Sequence, residues 1–179
     1  MLTRSTGALH ANRWSLPGAR YFVTLCTMER HTGLTTNTTA SAIRNAVMAA
    51  DAVGDTETLA FTVMPDHIHW LFHLGGRLSL GRVVARYKAE ARAELQAGHL
   101  VWQRDFYEHR LRAEEGAEDY GHYVFLNPYR AGLLCGGNWP GWLCPKLERF
   151  GFMTQLKPDG APQREWIAEP RPAGLMVGE

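Results

Sequence analysis

Two short constellations in this 179-residue chain carry residue types suited to metal or phosphate chemistry. The first is Met64-Pro65-Asp66-His67-Ile68-His69-Trp70. Read as a strand, positions 67, 69, 71 and 73 share one face, so His67, His69 and His73 project together while Ile68, Trp70 and Phe72 pack opposite. Two imidazoles at i and i+2 can converge on one metal ion, although a buried histidine satisfied by hydrogen bonds is the commoner result. The second is Asp119-Tyr120-Gly121-His122-Tyr123-Val124-Phe125-Leu126-Asn127-Pro128. Helical spacing stacks Tyr123 and Asn127 on one face, so a group bound by the carboxamide lies within reach of the phenol. The plainer reading makes Tyr120, Tyr123 and Val124 the core stripe of that helix. Pro128 disfavours helical geometry at Asn127 and predicts a kink or an end near this point.

The elements that must position these residues follow from pattern. Tyr21 to Cys26 is aromatic and β-branched and leaves Pro17-Gly18, which predicts a first strand. Thr38 and Thr39 precede a helix marked by Ile43, Val47 and Ala50 and stopped at Gly54. Thr58 to Met64 and His67 to Leu74 read as an antiparallel pair joined by Pro65-Asp66. From Ser79 to about Leu95 a second helix buries Leu80, Val83, Val84, Tyr87, Ala91 and Leu95 and leaves Arg82, Arg86, Lys88 and Arg92 outside. Val101 to Leu111 predicts a fourth strand, and Glu114 to Gly132 a third helix with acids in its first turns. The order β-α-β-β-α-β-α implies an α+β fold, a ferredoxin-like or RRM-like antiparallel sheet with helices packed on one face. Residues 1–152 are expected to form one domain and 153–179, rich in Pro and Gly, a C-terminal extension with Trp166-Ile167 available to dock it.

Composition narrows the class. With 45% apolar residues the chain can bury one core, and no apolar run approaches the roughly 18 to 20 residues of a membrane span. Its polar start, Met1 to Trp14, reads as unexported, so a cytoplasmic protein is expected. Cys26, Cys135 and Cys144 form no CxxC pair, so neither a zinc knuckle nor a disulfide framework is indicated. The net charge of +1 argues against broad attraction to nucleic acid and leaves only the local patch of Arg77, Arg82, Arg86, Lys88 and Arg92.

Three blocks together resemble a known family: Val63-Met64-Pro65-Asp66-His67-Ile68-His69, Val101-Trp102-Gln103-Arg104-Asp105-Phe106-Tyr107-Glu108-His109, and Tyr123-Val124-Phe125-Leu126-Asn127-Pro128-Tyr129-Arg130-Ala131-Gly132-Leu133. From about Tyr21 to Trp142 the chain is similar to the single-tyrosine HUH transposases, and among them to the REP-associated tyrosine transposases. It departs from them at Asn138-Trp139-Pro140-Gly141-Trp142, where members often carry serines, and in its lower charge.

The resemblance implies His67 and His69 as metal ligands, Asn127 as the third, and Tyr123 as nucleophile, four positions before Asn-Pro as in the family. Tyr120 and Tyr129 are the competing phenols, and His73 is left to packing or DNA. It further implies Mg²⁺ or Mn²⁺, which suit mixed nitrogen and oxygen donors with open positions. The substrate it implies is single-stranded DNA with palindromic hairpins, cut through a 5′-phosphotyrosine. Arg82, Arg86, Lys88, Arg92, Arg104 and Arg130 are candidates for DNA contacts, with Trp102, Phe106 or Tyr107 for stacking on bases. A monomer is expected, with a homodimer as the alternative. Two rival functions remain: a catalytically silent hairpin binder, and a histidine-triad hydrolase of small phosphate esters. The second lacks its third histidine, since Leu71 holds the next same-face position.

Overall fold

A computed structural model describes residues 15–138, 149–171 and 174–178. The polar start, the 139–142 departure, Cys144 and Pro172 lie outside these residues. Four strands, β1 (Arg20–Cys26), β2 (Thr56–Val63), β3 (His67–Leu74) and β4 (Tyr107–Arg110), form one antiparallel sheet in the order β2-β3-β1-β4. The helices are α1 (Asn37–Ala52), α2 (Leu80–Glu90), α3 (Arg92–Ala97), α4 (Ala117–Arg130) and α5 (Arg164–Ala168). Short 3-10 turns lie at Met28–Arg30 and Gly151–Gln155. The α+β class and the antiparallel sheet are as the sequence implies.

Strand alternation sorts the sheet into two faces. Register pairs Val23 with Trp70 and Thr24 with His69. Val23, Leu25, Ile68, Trp70 and Phe72 thus share one face and Phe22, Thr24, His67, His69 and Leu71 the other. Helix α2 covers the first, with Tyr87 5.2 Å from the Trp70 ring, and α1 lies beside it with Ala46 and Ala50 flanking Val83. The Trp70 indole spends its N–H on Thr58 Oγ1 at 3.0 Å.

The histidine face departs from the expected one-sided layering, because α4 packs there. Tyr120 and Tyr123 place their rings 5.2 and 6.1 Å from Phe22. Helix α4 is buried almost all round because Phe150, Phe152 and Trp166 close over its outer side, against Gly121, Phe125 and His122. A helix covered on both sides loses the polar face that a surface helix keeps. Gly121 is required here, since a Cβ would meet the Phe150 ring at 2.6 Å.

Helix α1 is capped by Thr36 rather than Thr38 or Thr39 and β2 runs Thr56–Val63 rather than Thr58 to Met64; other boundaries differ more. The long second helix breaks at Ala91 into α2 and α3, although its buried stripe runs through both. The fourth strand shrinks to Tyr107–Arg110: Trp102 makes a lone bridge to Thr27, and the carbonyls of Gln103, Arg104 and Asp105 turn to the Lys88 ammonium. Helix α4 starts at Ala117 rather than Glu114, because Glu115 instead binds the Arg112 amide and His109. It then runs through Pro128 to Arg130, so Tyr129 lies inside it and not beyond a break. Among the described residues no helix is long and apolar enough to cross a membrane.

Candidate active site

His67 and His69 leave the same face of β3 and point their Nε2 atoms at one another, 3.1 Å apart. Each imidazole is held from behind through Nδ1. His67 Nδ1 lies 2.6 Å from Asp66 Oδ1, and a carboxylate only accepts, so this nitrogen carries the proton. His69 Nδ1 lies 3.0 Å from Thr24 Oγ1. The single hydroxyl proton of Thr24 is donated to the Val177 carbonyl at 2.6 Å, which leaves Thr24 to accept from His69. In their neutral forms both rings then turn an unprotonated Nε2 toward the shared space. Two cis donors about 2.1 Å from an octahedral ion lie about 3 Å apart, so the pair has the spacing of two ligands of one cation. Burial, then the neighbouring His67 and the charges of Arg30 and Arg171, holds the fully buried His69 well below the usual imidazole range, in the neutral form that ligation needs.

Tyr123 descends from α4 onto this pair. Its hydroxyl lies 3.3 Å from His69 Nε2, and its ring packs edge-on against His69 at 5.2 Å. The other two phenols point elsewhere: Tyr120 accepts from the Met176 amide at 3.4 Å, and Tyr129 donates to the Gly136 carbonyl at 2.9 Å. Asn127 lies one turn beyond Tyr123 on α4, half-buried, and its carboxamide makes no hydrogen bond among the described residues. Among the described residues no three His, Cys, Asp or Glu side chains cluster as a metal site. His73 is apart from the pair, 3.1 Å from the Gly18 carbonyl.

The segment from 174 to 178 lies across the same face. Val177 is 2% exposed over Thr24, and a Cβ on Gly178 would overlap the Tyr107 ring. The sequence reading missed this cover and the roles of Thr24 and Asp66. A carboxylate directly before His67 was the one available signal for Asp66; nothing in the tail's composition pointed to the sheet.

The basic candidates divide into two sets. Arg86 binds Asp55, Lys88 binds three carbonyls, and Arg130 binds the Trp166 and Glu169 carbonyls. Arg82, Arg92 and Arg104 are exposed and make no side-chain bond among the described residues. Arg92 and Arg104 border two adjoining hollows of about 280 and 560 Å³, the smaller floored by Trp102 and the larger by Phe106. Tyr107 is half-buried under the tail.

A profile of the family described as "Transposase IS200 like" matches residues 15–114, more than half of the chain, and ends before Tyr123. No curated protein matches. Among solved structures, a REP-associated tyrosine transposase bound to a REP hairpin superposes with a TM-score of 0.60 at 22% identity, over 73% of this chain and 79% of that one. A Deinococcus radiodurans R1 protein described as a transposase reaches only 0.46 at 15% identity, over 74% of this chain and 98% of that one. The hairpin-bound structure shares the sheet and helix arrangement described above, and the family profile covers the strand that carries both histidines. The chain belongs to the IS200-like transposase family.

Proposed function

We propose that this transposase is a metal-dependent nuclease and strand transferase that cuts single-stranded DNA near hairpins, with Tyr123 as its nucleophile. The observation that carries the reading is the Tyr123 hydroxyl 3.3 Å from His69 Nε2, beside two imidazole nitrogens 3.1 Å apart. His67, His69 and the carboxamide of Asn127 would hold the ion. A divalent cation, Mg²⁺ or Mn²⁺, supplies charge neutralisation at the attacked phosphate when bound.

An ordinary phenol with a pKa near 10 is ionised in only about one molecule in a thousand at neutral pH, a shortfall of about 4 kcal/mol. The site lowers that barrier by placing Tyr123 where phosphate and ligands meet, and by excluding water from the buried face. As the Tyr123 oxygen bonds to phosphorus and gives up its proton to solvent, the P–O3′ bond breaks and the leaving oxygen takes a proton from solvent to become a 3′-hydroxyl. The downstream strand stays joined through its 5′-phosphate. Attack by another 3′-hydroxyl reverses these changes, restores the phenol and reseals DNA with no external energy source.

Both histidines and the phenol meet within one chain, as action by a monomer requires; work in the cytoplasm, at the nucleoid, belongs to the same proposal. Residues 1–152 would then be the catalytic domain and 153–179 its extension. The tail over Thr24 favours a second reading, a hairpin binder that does not cut. Incubating wild type and Tyr123→Phe with labelled hairpin-bearing single-stranded DNA, with Mn²⁺ or Mg²⁺ or with chelator, separates the two on a denaturing gel. A metal-dependent adduct absent from Tyr123→Phe establishes the nuclease, binding without adduct the silent binder. An adduct persisting in Tyr123→Phe moves the nucleophile to Tyr120 or Tyr129.

A further inference from the structure

We propose that Asp66 and Arg30 are positioning residues that set which nitrogen of His67 faces the cation, an inference that rests on the metal reading above. The Asp66 carboxylate has both oxygens engaged. Oδ1 accepts from His67 Nδ1 at 2.6 Å, and Oδ2 lies 3.2 Å from Arg30 Nε. The Arg30 guanidinium also donates through Nη1 to Cys26 Sγ at 2.9 Å, and Cys26 is the residue opposite His67 in the β1–β3 register. Arg30 thus ties the end of β1 to the turn before β3, and fixes the plane of the carboxylate that fixes His67.

The backbone that delivers Arg30 is independent evidence that its place matters. Glu29 and Arg30 both adopt left-handed conformations, with φ of 54° and 59°, which side chains with a Cβ adopt at a cost. Such strain persists only where surroundings over-determine it, and it collects at functional sites. Here the surroundings are a lattice of bonds between the two segments. The Asp66 carbonyl accepts from the Thr27 amide at 2.9 Å, the Thr27 hydroxyl donates to the His31 carbonyl at 2.7 Å, and the Pro65 carbonyl accepts from the amides of Gly33 and Leu34. A tight turn needing only to connect β1 to α1 would place glycine at these φ values. This chain instead keeps the long Arg30 side chain there, half-exposed and folded back onto Asp66.

The consequence for the site is specific. With Asp66 locked, His67 carries its proton on Nδ1 and offers Nε2 to the ion. With the carboxylate removed or free to rotate, the ring can carry the proton on Nε2, where it blocks ligation and meets the Nε2 of His69. Carboxylate-backed histidine ligands are also more basic, and loss of the backing group lowers metal affinity about 10- to 100-fold.

The test uses the full chain as wild type, Asp66→Asn, Arg30→Gln and Arg30→Lys, with His67→Ala as the no-ligand control. Two quantities are read: the Mn²⁺ dissociation constant from free Mn²⁺ by electron paramagnetic resonance, and the His67 tautomer from nitrogen-15 shifts in chelator-treated protein. Expected is an Nδ1-protonated His67 in wild type and a mixture in Asp66→Asn, with Mn²⁺ affinity down about 10- to 100-fold. Arg30→Gln shifts both in the same direction by less, and Arg30→Lys restores part of the loss. Should Asp66→Asn not fold, the half-exposed Arg30 variants carry the comparison. Unchanged tautomer and an Mn²⁺ constant within twofold of wild type in the folded variants overturn the proposal. Wild type that binds Mn²⁺ no better than His67→Ala instead removes the metal reading, and the nitrogen-15 shifts still decide whether Asp66 and Arg30 set His67.

Discussion

Replacing Arg86 with alanine separates two roles a basic helix can play. From sequence, Arg86 belongs with Arg82 and Arg92 as a contact for DNA; in the fold its Nη1 makes a 2.9 Å bond to Asp55 Oδ2. Asp55 is 1% exposed, its Oδ1 has no hydrogen bond among the described residues, and Arg77 approaches only to 4.0 Å. Truncation at Arg86 leaves a buried carboxylate without its one side-chain hydrogen bond. Breaking a buried pair costs about 3–5 kcal/mol. The Arg86 side chain is 45% exposed, so water re-enters on its side and about 2–3 kcal/mol is the expected loss. For a domain of this size that is a fall in Tm of about 5–10 °C. Asp55→Asn in the same chain removes the stranded charge and should recover part of it. DNA binding should keep its salt dependence in Arg86→Ala, whereas Arg92→Ala and Arg104→Ala should each flatten the slope of log K against log salt by up to about 0.7 with little change in Tm. Calorimetry and a salt titration of hairpin binding read the two effects. An unshifted Tm with a flattened salt slope in Arg86→Ala would refute the reasoning, since it would mean that the Asp55 pair is ornamental and the arginine serves DNA.

Two further outcomes follow from single contacts. Burial holds the Lys88 ammonium at about 8, below its ordinary value of 10.5, despite the nearby Asp105 charge that opposes the shift. Between pH 8 and 10.5 the unfolded chain keeps this proton while the folded chain has lost it, so the contribution of Lys88 to stability rises with pH across that window and is flat below it. Denaturation of wild type and Lys88→Met over this range should show the rise only in wild type; parallel profiles would contradict the assignment. Gly121→Ala should destabilise by about 1–3 kcal/mol, because its Cβ meets the Phe150 ring at 2.6 Å inside a closed layer. Trp166 lies 4.8 Å from His122 in that layer, and its fluorescence should report the loosening alongside the lower Tm.

What was legible in the sequence is what has a period. The alternation in 67–74 placed the histidines on one face of β3, and the i, i+4 spacing placed Asn127 one turn beyond Tyr123 on α4. Periodicity cannot tell which face of a sheet a helix chooses. Phe22 and Leu71 beside the histidines show that this face needed an apolar cover, but the cover is α4, more than 45 residues further along the chain. Nor does pattern reveal competition for a carbonyl. The residues before β4 have strand composition, and lose the strand because Lys88, on α2, offers three bonds that the ladder would have to outbid.

The hardest features to read were those that decide whether the histidines can serve as ligands at all. Thr24, Asp66, Arg30 and the Val177 carbonyl are single polar groups on four separate segments; the first two bind the ring nitrogens, and the last two hold Asp66 and Thr24 in place. A His-x-His pair is therefore only half of a site. In a strand without Asp66 and Thr24 behind them, the same two imidazoles would share protons with one another, and at 3.1 Å one Nε2–H would donate to the other and close the space that a cation needs. The Nδ1 partners hold both lone pairs inward against that alternative. That arrangement is unfavourable for two neutral rings alone, and becomes favourable when a positive charge lies between them.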